Sequence, residues 1–150
     1  MTSIKDLLEY GSHSLRLAGI EYGALESRIL LSHVIGCSES YLIGHNEDEL
    51  AAEIVQKFET LVMRRSKHEP IAYILEEKEF YGMGFKVTHD VLIPRSDTET
   101  LVDAVIQENA DKENLRILDL GVGSGCILIT LLLELRDSSG LGVDLSLIHI

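Results

Sequence analysis

A short loop with glycine at every second position joins a strand-like run to a helix-like run. Its residues are Gly121, Val122, Gly123, Ser124 and Gly125. Glycines in such a loop let the backbone turn tightly and let a ligand lie directly on the main chain, beside a helix N-terminus. The dinucleotide-binding pattern Gly-x-Gly-x-x-Gly needs a third small residue where Cys126 stands, so the spacing argues against an NAD-type site.

An acidic residue, Asp144, follows the next strand-like run along the chain. A carboxylate at the end of such a strand can accept hydrogen bonds from the hydroxyls of a ribose. S-adenosylmethionine carries a ribose and a sulfonium cation but no phosphate, so negative surroundings such as Asp119 favour it. The loop and Asp144 together predict S-adenosylmethionine as the cofactor. The alternative is a plain glycine turn in a nucleotide-free domain, with Asp144 solvated.

Other side chains that often carry chemistry show no functional spacing. The six histidines contain no His-Glu-x-x-His pattern, and Cys37 and Cys126 form no Cys-x-x-Cys pair, so we predict neither a metal site nor a disulfide. Ser124 is not the serine of a Gly-x-Ser-x-Gly motif, because Val122 stands two residues before it. We therefore assign no catalytic residue.

The composition indicates a soluble globular protein that does not bind nucleic acid. The 25 acidic and 13 basic side chains leave a formal net charge of -12, which repels phosphate backbones. The N-terminus has no basic region followed by an apolar run, and the apolar run 127–133 is far shorter than the roughly 20 residues of a membrane helix. We expect a cytoplasmic protein without membrane contact.

The first half of the chain has the apolar spacing of a small helical bundle that extends to about residue 69. Two helical stretches precede Gly36, a residue type suited to the left-handed position at a helix C-terminus. Two more are predicted over 38–43 and 47–68. The basic pair Arg64 and Arg65 is interpreted as compensating the dipole at the end of the fourth helix.

From Pro70 onwards the pattern changes to short β-type runs over 71–75, 80–81 and 85–88, which predict a hairpin. Ser96 and Glu99 have the spacing of a capping box, which predicts a helix that ends near Asn109.

The last third of the chain has the pattern of one βαβ unit. A buried strand over 115–120, the glycine loop, a helix that begins at Cys126 and a second strand near 141–144 follow one another.

Three segments occur in a characteristic order and spacing. They are 69–74 (Glu-Pro-Ile-Ala-Tyr-Ile), 80–82 (Phe-Tyr-Gly) with 91–99 (Val-Leu-Ile-Pro-Arg-Ser-Asp-Thr-Glu), and 117–126 (Ile-Leu-Asp-Leu-Gly-Val-Gly-Ser-Gly-Cys). Together they closely resemble the release-factor glutamine methyltransferases, and the similarity covers nearly the whole chain to Asp144.

The resemblance implies an α/β protein in three parts. A small α-helical bundle over 1–69 would recognise the release factor, and a β-hairpin linker would occupy 70–90. The first part of a Rossmann-like, S-adenosylmethionine-dependent methyltransferase domain would follow over 91–150, in which residues 145–150 are interpreted as a non-native tail.

The implied reaction transfers a methyl group from S-adenosylmethionine to the glutamine amide nitrogen in the Gly-Gly-Gln motif of peptide chain release factors. The full-length protein is expected to be a monomer. Residues 121–125 match the cofactor loop of the family, and Asp144 matches its ribose ligand. A family signature beside the active site is matched, without individual roles, by Pro94, Arg95, Thr98 and Glu99.

The sequence also departs from the family pattern. Glu76 stands where the family usually has glycine, and prolines are frequent where Gly84, His89 and Ser96 stand, which affects local loop geometry.

The acceptor-binding Asn-Pro-Pro-Tyr motif of the family does not occur in the 150 residues. We therefore expect a truncated catalytic domain that is inactive as it stands. The alternatives are a release-factor-binding remnant without enzyme activity and, less favoured by the glycine spacing, an NAD-dependent oxidoreductase domain.

Overall fold

The computed structural model describes residues 2–145, which fall into two compact units that divide between Leu75 and Glu76. The first unit is helical. Its elements are β1 (Thr2–Ser3), α1 (Ile4–Leu17), α2 (Gly23–Ile35), α3 (Glu39–Gly44), β2 (Glu49–Leu50), α4 (Ala52–Ser66) and α5 (Ile71–Leu75). The two short strands β1 and β2 pair antiparallel.

Local hydrogen bonds explain where the helices of the first unit begin and end. The Ser3 hydroxyl accepts a hydrogen bond from the backbone N–H of Asp6, whose carboxylate accepts one from the Ser3 N–H, so α1 opens on a capping box. The second helix ends at Gly36, which adopts the left-handed conformation with φ 75°. The fourth helix begins at Ala52, later than the expected residue 47, because Glu49–Leu50 instead pair with β1.

The core of the helical unit depends on a close crossing of α1, α2 and α4. Gly11 lies at the crossing, where an added Cβ would lie 2.7 Å from Phe58 Cζ and would also meet Ser27 Oγ. Ser27 is fully buried, and its hydroxyl donates to the carbonyl of Leu8. The surrounding apolar side chains are Ile4, Leu7, Leu15, Ile20, Leu30, Leu31, Leu42, Phe58, Val62 and Ile74.

The basic pair at the end of α4 makes ion pairs in addition to lying at a helix C-terminus. Arg65 donates to both carboxylate oxygens of Glu26, at 2.5 and 3.2 Å, and to the carbonyl of Glu69. Arg64 donates to both carboxylate oxygens of Glu69, at 2.8 and 2.5 Å. These partly buried pairs link α2, the end of α4 and the segment that leads to α5.

The β-type prediction for 71–75 is wrong, since Ile71–Leu75 form helix α5. The N–H groups of Tyr73 and Ile74 both donate to the carbonyl of Pro70, which places the proline at the start of the turn. Proline is tolerated directly before the helix because its missing N–H would have no helical partner there. Burial of Ala72 and Ile74 in the helical unit outweighs the β propensity of the run.

The second unit combines helices with two small sheets. Its elements are β3 (Glu77–Phe80), β4 (Met83–Lys86), a 3-10 helix (Ser96–Thr98), α6 (Glu99–Asn109), β5 (Arg116–Leu120), α7 (Cys126–Glu134) and β6 (Ser139–Val143). Strands β3 and β4 pair antiparallel, and β5 and β6 pair parallel with α7 between them along the chain. A buried cluster joins the hairpin to α6 and α7 through Phe80, Phe85, Val102, Cys126, Leu131 and Leu135.

Glu76, which stands where the family usually has glycine, has a left-handed backbone with φ 56°. Its carbonyl accepts a hydrogen bond from the N–H of Val87, which follows the opposite strand of the hairpin. A side chain with a Cβ is disfavoured in this conformation, which explains the preference for glycine there.

The capping-box prediction for Ser96 and Glu99 is wrong. Ser96 begins a 3-10 helix, and neither that helix nor α6 has a side-chain cap. The Glu99 carboxylate instead accepts a hydrogen bond of 3.0 Å from the backbone N–H of Tyr81. Tyr81 lies in the β3–β4 turn with φ 54°, so its N–H points away from the hairpin ladder and towards α6.

The prediction of a buried strand over 115–120 is also wrong, because every residue of Arg116–Leu120 is exposed or only partly buried. Leu118 and Leu120 on β5 are 59% and 74% exposed, and Leu141 on β6 is 63% exposed. The opposite face lies under α7, where an added Cβ at Gly140 would lie 2.6 Å from Leu128. Helix α7 therefore covers one face of the β5–β6 pair, and apolar side chains line the other.

Candidate functional site

The loop between β5 and α7 has a backbone that only glycine adopts without strain. Gly121, Gly123 and Gly125 have φ angles of 83°, 51° and 78°, all in the left-handed region. The carbonyl of Val122 accepts a hydrogen bond from the Gly125 N–H at 2.8 Å, which closes a tight turn over Ser124. The alternating glycines recognised in the sequence are therefore required by the path of the chain.

The loop is held against the end of β6. The N–H groups of Gly121 and Val122 donate to the carbonyl of Val143 at 2.6 and 3.2 Å. At Gly142 an added Cβ would lie 2.7 Å from Cγ2 of Val122, so only glycine permits this approach. Gly142 is therefore a site-shaping residue that the sequence did not single out, although its place in the second strand, beside a glycine loop, was a usable signal.

The structure brings Asp144 to the middle of the loop. Its Oδ2 atom accepts a hydrogen bond of 3.0 Å from the N–H of Gly123. The two parts of the predicted site are therefore in direct contact, since parallel strands end at the same edge of their sheet. A carboxylate can accept several hydrogen bonds, so one in this position suits a ligand that lies on the loop and carries hydroxyl groups.

Asp119 places a second carboxylate near the loop, on β5. Its Oδ2 atom is buried and accepts no hydrogen bond from any residue between 2 and 145. Burial raises the pKa of the Asp119 carboxyl, and the negative charge of Asp144 raises it further. A cationic group or a hydrogen-bond donor would satisfy this oxygen, and the arrangement fits a ligand that carries positive charge.

The start of α7 adds backbone donors to the same place. Helix α7 begins at Cys126 after Gly125, and no side chain caps its first N–H groups. Uncapped N–H groups at a helix N-terminus attract acceptor oxygens. A ligand with hydroxyl or carboxylate oxygens beside a cationic centre therefore matches the donors of the loop and the acceptors of the two aspartates.

Within residues 2–145, no hydrogen bond joins the glycine loop to the signature residues Pro94, Arg95, Thr98 and Glu99. Glu99 instead accepts a hydrogen bond from the Tyr81 N–H in the β3–β4 turn. The Tyr81 hydroxyl donates to Asp103 at 2.9 Å. This contact raises the pKa of Tyr81, because the neighbouring carboxylate disfavours the phenolate. Tyr81 and Asp103 thus join the hairpin to α6. The sequence analysis did not predict this contact, because the two residues are 22 positions apart.

Residues 2–145 contain no group of three or more histidine, cysteine, aspartate or glutamate side chains arranged to hold a metal ion. Within the same residues, none of the helices combines the length and the apolar character that crossing a membrane requires.

Comparison with known proteins agrees with the resemblance read from the sequence. Residues 6–75 match the family model of the PrmC N-terminal domain. The bifunctional methyltransferase of Rickettsia conorii is 42% identical over 97% of this chain, which corresponds to 32% of that protein. The release factor glutamine methyltransferases of Rhodospirillum rubrum and Cereibacter sphaeroides are 37% identical over 93% and 94% of this chain, or 43% and 49% of their own lengths. The chain therefore spans between about a third and a half of these relatives, and the resemblance to the family is confirmed.

Proposed function

We propose that the whole protein is a release factor glutamine methyltransferase, because residues 6–75 match the family model of the PrmC N-terminal domain. It would transfer a methyl group from S-adenosylmethionine to the glutamine amide nitrogen in the Gly-Gly-Gln motif of peptide chain release factors. The observation that carries the proposal is the contact between the Gly123 N–H and Asp144, which builds a ligand site from the glycine loop and the end of β6.

The residues present fit S-adenosylmethionine. The backbone of Gly121 to Gly125 would lie against the cofactor, and Asp144 would accept hydrogen bonds from the ribose hydroxyls. The buried oxygen of Asp119 lacks a donor among the described residues, and the cofactor's positive charge would lower the cost of ionising it. When bound, S-adenosylmethionine supplies an electrophilic methyl group on its sulfonium.

The protein's own contribution at this site is to hold and orient the cofactor. The left-handed glycines keep the main chain open to a ligand, and the hydrogen bonds from Gly121 and Val122 to Val143 keep the loop at the sheet edge. Fixing both ends of the cofactor limits the directions in which its methyl group can point, and such positioning is a large part of the rate in group transfer.

The remaining domain assignments belong to the same proposal. The helical part, 1–69, would recognise the release factor, and 70–90 would connect it to the methyltransferase part from 91 onwards. The parallel β5–β6 pair with α7 would be the beginning of a Rossmann-like sheet. The exposed apolar face of Leu118, Leu120 and Leu141 supports that assignment, because parallel sheets are covered on both faces. We further propose that the whole protein is a cytoplasmic monomer without nucleic-acid or membrane partners.

The test measures cofactor binding and methyl transfer separately. Isothermal titration of the 150-residue chain with S-adenosylmethionine, and with NAD as the competing ligand class, should show binding of the first only. The whole protein should transfer a tritiated methyl group to purified release factor, and a release factor with the motif glutamine replaced by alanine should accept none. Labelling that persists on the alanine variant would contradict the proposed acceptor, and preferential NAD binding would contradict the proposed cofactor.

A further inference from the structure

A groove between α1 and α2 collects basic side chains in a chain whose net charge is -12. The groove has a volume of about 350 Å³. His13, Arg16 and Arg28 supply its basic lining, and Glu9 is the acidic side chain among the lining residues. Ser12 adds a hydroxyl, and Leu8 and Ala24 add apolar surface. The groove thus combines charged, polar and apolar lining in one place.

The course of the Arg16 side chain depends on a glycine. An added Cβ at Gly23, the first residue of α2, would lie 3.2 Å from Cγ of Arg16 and 3.2 Å from its backbone nitrogen. Gly23 therefore leaves room for the arginine stem where α2 begins. The side chain is exposed, and its guanidinium forms no ion pair with a carboxylate of residues 2–145.

Arg28 presents a second guanidinium to the same groove. Its Nε atom donates to Glu39 at 3.3 Å, and both side chains are substantially exposed at 38% and 43%. Such an exposed pair contributes little to stability, but it restrains the direction of the guanidinium. The terminal Nη groups make no hydrogen bond to the described residues, so they remain available to an incoming carboxylate.

Helix-dipole compensation accounts for only part of this arrangement. Arg16 lies in the last turn of α1, where a positive charge stabilises the helix. Arg28 lies in the middle of α2, where that effect is absent, and it lines the same groove. Two guanidinium groups with unused N–H donors form a suitable binding site for carboxylates, which accept hydrogen bonds from arginine in a forked geometry.

We propose that this groove binds a short segment of the protein partner that carries one or two carboxylates and an apolar side chain. Arg16 and Arg28 would pair with the carboxylates, while the apolar side chain would pack on Leu8 and Ala24. From Leu8 to Arg16 the helix rises by about 12 Å, which is the length of two helical turns or about four extended residues. A longer acidic run is disfavoured, because the net charge of the chain is -12 and repels additional negative charge.

The inference rests on the proposed function, which makes the partner a release factor. The test is the dissociation constant for purified release factor, measured by isothermal titration with the 150-residue chain and with two charge-reversal variants. Arg16→Glu should weaken binding about tenfold or more, and Arg16→Lys, which keeps the charge but loses the fork, should give an intermediate value. Lys67→Glu is the matched control. Lys67 is exposed at the C-terminal end of α4, outside the groove, and its replacement by glutamate changes the net charge by the same amount as Arg16→Glu.

Binding of Lys67→Glu within about twofold of the unchanged chain, together with the loss at Arg16, would support the groove. Equal losses at the two positions would overturn it, since only net charge would then matter. If Arg16→Glu lowers the unfolding temperature, Arg28→Gln provides the second variant, and it should weaken binding with the fold intact. Unimpaired binding of every variant would overturn the proposed role of the groove and leave the proposed function unaffected. If the whole protein showed neither binding nor methyl transfer, both the role of the groove and the proposed function would be overturned.

Discussion

The backbone N–H of Gly123 donates a hydrogen bond of 3.0 Å to Oδ2 of Asp144, so the carboxylate after β6 is joined to the middle of the glycine loop. This bond holds the loop in shape and places the Asp144 carboxylate beside the loop backbone.

Asp144→Ala should weaken S-adenosylmethionine binding about tenfold to a hundredfold, because the variant loses both the charge-assisted hydrogen bond to the loop and the proposed ribose acceptor. Asp144→Asn keeps an acceptor oxygen for the Gly123 N–H and should therefore lose less affinity for S-adenosylmethionine than Asp144→Ala. Isothermal titration measures both. Equal affinity of Asp144→Ala and the unchanged chain would contradict the site.

Asp119→Asn should stabilise the ligand-free chain at neutral pH and weaken cofactor binding. The pKa of Asp119 is raised in the folded chain, so the folded chain binds the carboxyl proton more tightly than the unfolded chain does. Ionisation of Asp119 therefore lowers the free energy of unfolding as the pH rises from the ordinary carboxyl pKa of the unfolded chain through the raised pKa of the folded chain. The stabilisation by Asn should be largest above that window and vanish below it, as measured by thermal unfolding from pH 3 to pH 8. A gain that grows towards low pH would contradict the assignment.

Gly142→Ala should destabilise the chain by about 1–3 kcal/mol, because the new Cβ would overlap Val122 and push the loop from the end of β6. Adding Val122→Ala removes the overlapping methyl groups and should recover part of the loss. Gly44→Ala is the control, since nothing lies within 4 Å of its added Cβ. Urea unfolding measures all three, and similar values at Gly142 and Gly44 would contradict the close approach.

Glu99→Ala should cost about 1–2 kcal/mol, because the Tyr81 N–H in the hairpin turn would lose its charged acceptor. Ser96→Ala should change stability by less than about 0.5 kcal/mol, since the serine caps neither the 3-10 helix nor α6. A capping box would instead give Ser96→Ala a cost of about 1 kcal/mol. Urea unfolding of both variants separates the two arrangements.

Glu76→Gly should stabilise the chain by about 0.5–1 kcal/mol, because glycine accepts the left-handed backbone without the Cβ penalty. The ion pair that is lost, Glu76 with Lys86 at 4.0 Å, is exposed and contributes little. Glu77→Gly, the same exchange at the first residue of β3, should instead destabilise. The difference between their thermal unfolding temperatures tests the prediction.

Local sequence was sufficient for features that depend on a few adjacent residues. The left-handed end of α2 at Gly36, the strand-to-helix loop and the helix that begins at Cys126 all have the form that the sequence predicted. The predictions were wrong where contacts with a distant segment of the chain determined the local structure. Burial of Ala72 and Ile74 made a helix from a β-type run, and the Tyr81 N–H took the Glu99 carboxylate away from its predicted partner.

The sequence by itself determined which residues belong to the proposed cofactor site, because glycine spacing and a carboxylate after the next strand are local properties of the chain. Tertiary structure alone decided that Asp144 contacts Gly123, that Gly142 admits Val122 and that an oxygen of Asp119 is buried without a donor among the described residues. These relationships arise from parallel pairing of β5 with β6, which brings together residues about twenty positions apart. Pairing between distant strands depends on packing of the whole unit, and no short stretch of sequence encodes it.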